Sequence, residues 1–227
     1  MNLELFGLPL LGCVLMLGIL GYLGIHVLRR EVVFIDIAMA QTVVVGMIAA
    51  HLAFGAHGDS WLAYACGLAA ALVAAVFYAF GRSRARQIPL EAMIGISYAI
   101  AAAAALFLVG LAPGGHIHIH GMLAGSVLWI KWNDIGASAA IFGAVAAGFV
   151  VFRKPFARIS EHYLQAARPG ESPWETGGAG KVIAWDILFY VLAGAVIAWA
   201  TRIAGVLLIF AFLIVPAVVS ALYSRRW

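Results

Sequence analysis

The sequence predicts an all-α fold: a polytopic membrane helical bundle of about seven spans plus a short re-entrant or interfacial helix. Three observations predict it. Apolar residues make up 65% of the chain and charged residues only 11%, too few to give a domain of 227 residues a water-facing surface. The mean hydropathy is +1.03. The apolar residues lie in continuous runs close to the ~20 residues that cross ~30 Å of hydrocarbon as a helix, without the period-2 alternation of barrel strands.

The first run, Leu8–Leu28, is long enough to span, and no Lys or Arg precedes it, so it is not read as a cleavable signal peptide. Gly18, Gly21 and Gly24 recur in it at every third residue, where small side chains let helices approach closely. The next runs are Val32–Phe54, Trp61–Phe80 and Ala92–Leu111, the last with five consecutive alanines from Ala101 to Ala105. Gly121–Trp132 is apolar but too short to span and is read as the re-entrant or interfacial piece. Ile135–Phe152, Val182–Trp199 and Ile203–Tyr223 complete the set, with a tight turn near Thr201–Gly205. Pro216 cannot donate to the carbonyl of Phe212, so a kink or break is expected in the last span. Cys13 and Cys66 lie inside spans and are read as small packing residues.

Twelve of the fourteen basic residues fall on one side if the spans alternate: Arg29, Arg30, Arg82, Arg84, Arg86, Arg153, Lys154, Arg158, Arg168, Lys181, Arg225 and Arg226. Lys131 and Arg202 fall on the other. The excess of Lys and Arg marks cytoplasmic loops, so the N-terminus is expected outside a plasma (inner) membrane. The basic residues flank apolar runs and form no aromatic-interleaved face, which argues against nucleic acid as a partner despite the net charge of +4. The inner side carries one long segment, residues 153–181, within a single domain spanning 1–227. It opens on an amphipathic stretch from Phe156 and continues through a stretch rich in Pro and Gly.

Polar groups inside the spans are functional candidates because unpaired they cost several kcal/mol. Asp36, Gln41 and His51 stand in the second span. Asp36 and Gln41 are five residues apart, about 140° around a helix, and do not share a stripe. The plainer reading of Asp36 is an interfacial carboxylate paired with Arg29 or Arg30. Glu91 and Asp186 are read as first-turn acids facing a helix dipole, and His26 as interfacial. On the outer side, Gly114-Gly-His-Ile-His-Ile-His-Gly121 places His116, His118 and His120 in alternation. An extended loop would turn their rings to one side, where imidazole suits zinc and neighbouring transition metals; an incidental polar loop is the alternative. No HExxH, GxSxG, Walker A or CxxC pattern is present, so no catalytic role is expected.

Four ordered stretches resemble the permease subunit of the zinc/manganese/iron ABC importer family. They are Gly21-Tyr-Leu-Gly-Ile-His-Val-Leu-Arg-Arg with Val32-Val-Phe-Ile-Asp-Ile-Ala-Met-Ala-Gln and Gly46, then Pro89-Leu-Glu-Ala-Met-Ile-Gly-Ile-Ser-Tyr, then Met122-Leu-Ala-Gly-Ser-Val-Leu-Trp, then Ile203-Ala-Gly-Val-Leu-Leu-Ile-Phe-Ala-Phe-Leu-Ile-Val-Pro-Ala. The resemblance implies a homodimer in lipid with a central pathway, cytoplasmic ABC ATPases below it and an extracytoplasmic metal-binding protein above it. The divalent metal (Zn, Mn or Fe) is then substrate rather than a permanently bound cofactor. It also implies an ATPase-coupling helix within Ser160-Glu-His-Tyr-Leu-Gln-Ala-Ala-Arg-Pro-Gly170, that is at Ser160, Glu161, His162, Tyr163 and Gly170. Two departures stand out. The family's Asp and His ligands, four apart, align through Gly46 with Ile37 and Gln41, leaving Asp36 displaced by one. Members usually continue for one or two further spans, whereas this chain stops at Trp227. A degenerate or truncated, non-transporting scaffold is therefore the alternative expectation.

Overall fold

A computed structural model describes residues 3–56, 60–84, 88–111, 127–166 and 179–223. Its helices are α1 (Leu3–Arg29), α2 (Ile35–Phe54), α3 (Trp61–Arg84), α4 (Leu90–Leu111), α5 (Trp132–Val151), α6 (Arg153–Ala166), α7 (Ala179–Ala204) and α8 (Val206–Tyr223). All except α6 are long and apolar enough to cross a membrane. Large side chains such as Ile100, Leu106 and Phe107 of α4 stand exposed, as lipid-facing residues do. The seven expected spans are all present, with α1 starting at Leu3 and running through Pro9. Before α5, the described part of the expected short helix is a single 3-10 turn, Val127–Trp129. The rest of that piece lies outside the described residues.

The helices pack α2 against α3 and α4, α3 against α7, and α1 against α8. Arg30, Arg82, Phe149, Phe156 and Asp186 meet at one end, so α1, α3 and α5 finish there and α7 begins there. This is the basic end. At the opposite end Tyr64 of α3 packs on Trp199 of α7, whose indole N–H donates to Ser138 Oγ of α5 at 2.8 Å. The two basic residues expected apart from the rest lie there. Arg202 approaches Asp134 at 3.8 Å, and the Lys131 N–H donates to the same carboxylate at 3.2 Å.

Two close approaches set the packing. A Cβ on Gly46 of α2 would sit 2.6 Å from the Cys66 carbonyl oxygen of α3 and 3.0 Å from Gly67 Cα, so these backbones touch. A Cβ on Gly24 of α1 would collide with the Leu213 carbonyl of α8, and one on Gly21 would meet the Pro216 ring at 3.3 Å. Of the kink or break expected at Pro216, the break does not occur: α8 is continuous from Val206 to Tyr223. Proline removes its own N–H bond and crowds the carbonyl one turn earlier, and a span in a packed bundle tolerates this where neighbouring helices support the local adjustment.

The α1–α2 corner explains why α2 starts at Ile35 and not at Val32. Glu31 N–H donates to the Leu28 carbonyl (3.1 Å) and Val32 N–H to the Val27 carbonyl (3.2 Å). This is the Schellman arrangement, and it puts Glu31 in the left-handed region at φ 54°. A side chain there costs about 1–2 kcal/mol. Glu31→Gly is therefore expected to raise the thermal midpoint in detergent and Glu31→Val to lower it; a fall with glycine would contradict the geometry.

Candidate functional site

Asp36 lies in the first turn of α2, 1% exposed, and neither carboxylate oxygen has a side-chain partner among the described residues. It does not pair with Arg30, whose carboxylate partner is Asp186. A carboxylate enclosed in apolar surroundings without a partner is costly and calls for a cation or a proton. Gln41 is half-buried, and α2 is regular between the two. They stay ~7.5 Å apart along the axis and on different faces, as expected from five helical residues. His51 stands at the far end of α2, roughly 22 Å from Asp36 along the axis. Its Nδ1 lies 2.8 Å from the Ala56 carbonyl oxygen. A carbonyl only accepts, so Nδ1 carries the proton and Nε2 keeps its lone pair in the neutral ring. The structure thus leaves Asp36, Gln41 and His51 as separate stations. Among the described residues no three His, Cys, Asp or Glu side chains gather as a metal cluster. His116, His118 and His120 lie outside the described residues, as does Gly170.

The densest polar assembly is at the basic end, and the sequence reading did not anticipate it. Arg30 follows the last residue of α1, and its side chain is fully buried. Nη1 donates to Asp186 Oδ1 of α7 at 2.6 Å, both side chains being 0% exposed. Nε donates to Ser160 Oγ of α6 at 3.2 Å, and the guanidinium lies 3.9 Å over the Phe189 ring. Ser160 Oγ is also 3.0 Å from Nδ1 of His26, which is 5% exposed. Since Nε can only donate, the serine hydroxyl proton is free to bond a neutral His26 at Nδ1. Arg82 of α3 reaches across, Nη2 donating to the Arg30 carbonyl (3.0 Å) and Nη1 to the Tyr190 hydroxyl of α7 (3.3 Å). One network therefore joins α1, α3, α6 and α7.

These contacts bear on three expectations. His26 lies in the last turn of α1 and is enclosed by protein. Asp186 sits beyond the first turn of α7, which begins at Ala179, so its role is the ion pair and not the helix dipole. Glu91 does occupy the first turn of α4, and its Oε1 also accepts the Phe34 N–H at 3.3 Å. The sequence held a signal for the pair, since an acid and an arginine close to apolar spans find one another by default. It offered several arginines and no means of choosing among them.

Helix α6 is amphipathic as expected. Phe156 and Ser160, one turn apart, are buried. Phe156 packs among Phe149, Phe152, Trp185 and Phe189, with ring centroids 5.0–6.4 Å away. Lys154, Arg158 and Glu161 face outward. Of the residues assigned to coupling, Ser160 thus points into the bundle and Glu161 away from it. His162 and Tyr163 belong to α6, with side chains outside the described residues. Between α1 and α5 a groove of about 490 Å³ is lined by Gly18, Tyr22, Phe142, Gly143 and Arg153 among others; its walls are mostly apolar and offer no carboxylate or imidazole.

A multi-pass helical bundle with a charged, internally bonded end and a buried carboxylate is an architecture compatible with a membrane transport protein. The family model described as the ABC 3 transport family matches residues 4–227, and the chain belongs to that family. Its fold is similar to that of a chain in PsaBC from Streptococcus pneumoniae in complex with Fab. The TM-score is 0.72 at 21% identity, covering 97% of this chain and 74% of that one. No curated protein matches the chain.

Proposed function

We propose that the chain is the transmembrane permease of an ATP-driven importer for a divalent metal ion: zinc, manganese or iron. Two copies line the pathway. Separate ATPases bind at the basic end, which faces the cytoplasm, and an extracytoplasmic binding protein delivers the ion at the opposite end. The observation that carries this reading is membership of the ABC 3 transport family along residues 4–227. The segregation of basic residues supports the orientation. The outward charged face of α6 at the basic end supports a docking role for that helix.

Asp36 is the station within the membrane at which a divalent cation is stabilised, because its carboxylate is enclosed and lacks a partner. Gln41, His51 and the loop histidines His116, His118 and His120 are further stations along the same path, Gln41 offering a carbonyl oxygen and the histidines imidazole nitrogens. The test is uptake of radioactive zinc and manganese by cells expressing the permease with its ATPase and binding protein. Asp36→Ala is expected to reduce uptake by about tenfold or more, the loss of one charge-assisted contact, and Gln41→Ala by less. Uptake unchanged in both variants would remove these residues from the path. No uptake by the wild-type complex would favour a non-transporting scaffold.

A further inference from the structure

We propose that Ser160, held between His26 and Arg30, is the positioning residue that locks α6 to the membrane spans. The network around it would convert a displacement of α6 into a displacement of α1, α7 and the start of α2. The inference rests on the permease reading for its consequence, transport, but the joint itself rests on contacts alone.

Helix α6 follows α5 with only Phe152 between them, and the Phe156 aromatic cluster holds its inner face. Ring-on-ring packing has soft directionality, so an amphipathic helix held by rings alone can slide and roll against its bed. Ser160 adds what rings do not. Its single oxygen meets two nitrogens at the end of α1, from His26 within the helix and Arg30 just after it, at 3.0 Å and 3.2 Å, and both are buried. Arg30 in turn is fixed by Asp186 of α7 and by the Phe189 face. A buried ion pair separates only at high cost, so Arg30 and Asp186 move as one body. Pulling on Ser160 therefore moves the end of α1 and the root of α7 together. Arg30 is also the residue that closes α1 at the Schellman corner, and α2 starts at Ile35 with Asp36 next to it. A shift of Arg30 thus reaches the base of the helix that carries the unpartnered carboxylate. The arrangement has the form of a rigid joint between a surface helix and three spans.

The test compares Ser160→Ala with Ser138→Ala. Ser138 is likewise a buried serine accepting an N–H from another helix, but it lies at the opposite end. Both variants lose one hydroxyl; Ser160→Ala removes the partner of Arg30 Nε but leaves the Nη1–Asp186 bond in place, and Ser138→Ala is remote from both residues. Two readouts are made. The first is hydrogen–deuterium exchange of the purified permease in nanodiscs. Ser160→Ala is expected to speed exchange in residues 153–166 about tenfold, as for the loss of one buried hydrogen bond, with Ser138→Ala leaving that segment at the wild-type rate. The second is the number of metal ions imported per ATP hydrolysed in proteoliposomes with the partner ATPase, expected to fall severalfold for Ser160→Ala and not for Ser138→Ala. Wild-type exchange in Ser160→Ala, or equal losses of stoichiometry in both variants, would overturn the joint. A wild-type complex that moves no ion overturns the permease reading and with it the transport consequence, while the exchange result still decides whether Ser160 locks α6.

Discussion

Asp186→Ala is expected to be the most damaging single substitution in the basic end, costing about 3–5 kcal/mol. The physical reason is the state of Arg30 once its carboxylate is gone. The guanidinium is fully enclosed by α1, α6 and α7, so it has no water to fall back on. The Phe189 face and the Ser160 hydroxyl remain, but neither carries a negative charge. Arg30→Met should cost less than Asp186→Ala, because a methionine fills much of the arginine stem's volume and leaves an acid that can take up a proton. The double variant Arg30→Met with Asp186→Leu is expected to recover most of the loss, since replacing both buried charges by apolar groups is often nearly neutral. Thermal unfolding in detergent, followed by tryptophan fluorescence and by the monodisperse fraction on size exclusion, reads all three. Melting of Asp186→Ala at the wild-type temperature would show that the pair is not a structural lock. Additive losses in the double variant would show that the two residues act separately.

The second large effect is expected at Gly24. A Cβ there would run into the Leu213 carbonyl and would lie 3.0 Å from Ala217 Cβ, so α1 and α8 must separate before any side chain fits. Neither obstacle is the tip of a flexible side chain. Gly24→Val should therefore exceed the ~1–3 kcal/mol typical of overpacking that side chains can absorb, and loosen α8 from the bundle. Gly18 is the internal control. It lies six residues earlier in the same helix, and a Cβ there meets nothing within 4 Å. Gly18→Ala should be neutral or slightly stabilising through helix propensity. Expression level and protease sensitivity of α8 in membranes distinguish the pair. Equal behaviour of Gly18→Ala and Gly24→Val would mean that the α1–α8 contact is looser than the geometry requires.

The glycines show how differently the two levels of information work. Gly18, Gly21 and Gly24 are identical in the sequence, a triplet spaced for close packing. Only Gly21 and Gly24 face α8, while Gly18 opens onto the groove between α1 and α5. Pro216 makes the same point in reverse: the local rule predicts a kink or break, whereas α8 runs on unbroken with the Pro216 ring packed against Gly21. Asp36 was legible as an intramembrane acid. That it is enclosed and without a partner was not, because the alternative of pairing with Arg29 or Arg30 fitted the spacing equally well.

What the sequence determined by itself was the solvent, the class of fold and the number of spans. These depend on sums over twenty or so residues, and a run of apolar side chains has one low-energy state in lipid whatever its neighbours are. It also assigned twelve of the fourteen basic residues to one side and marked α6 as amphipathic, both properties of composition along the chain. Tertiary structure decided which charge meets which. Arg30 took Asp186, 156 residues away, and Ser160 took His26 and Arg30, 134 and 130 residues away. Such choices depend on helix rotation, depth and the order of packing around the bundle. The pair energy is realised only when all the helices are already in place, so no local pattern in the sequence encodes it.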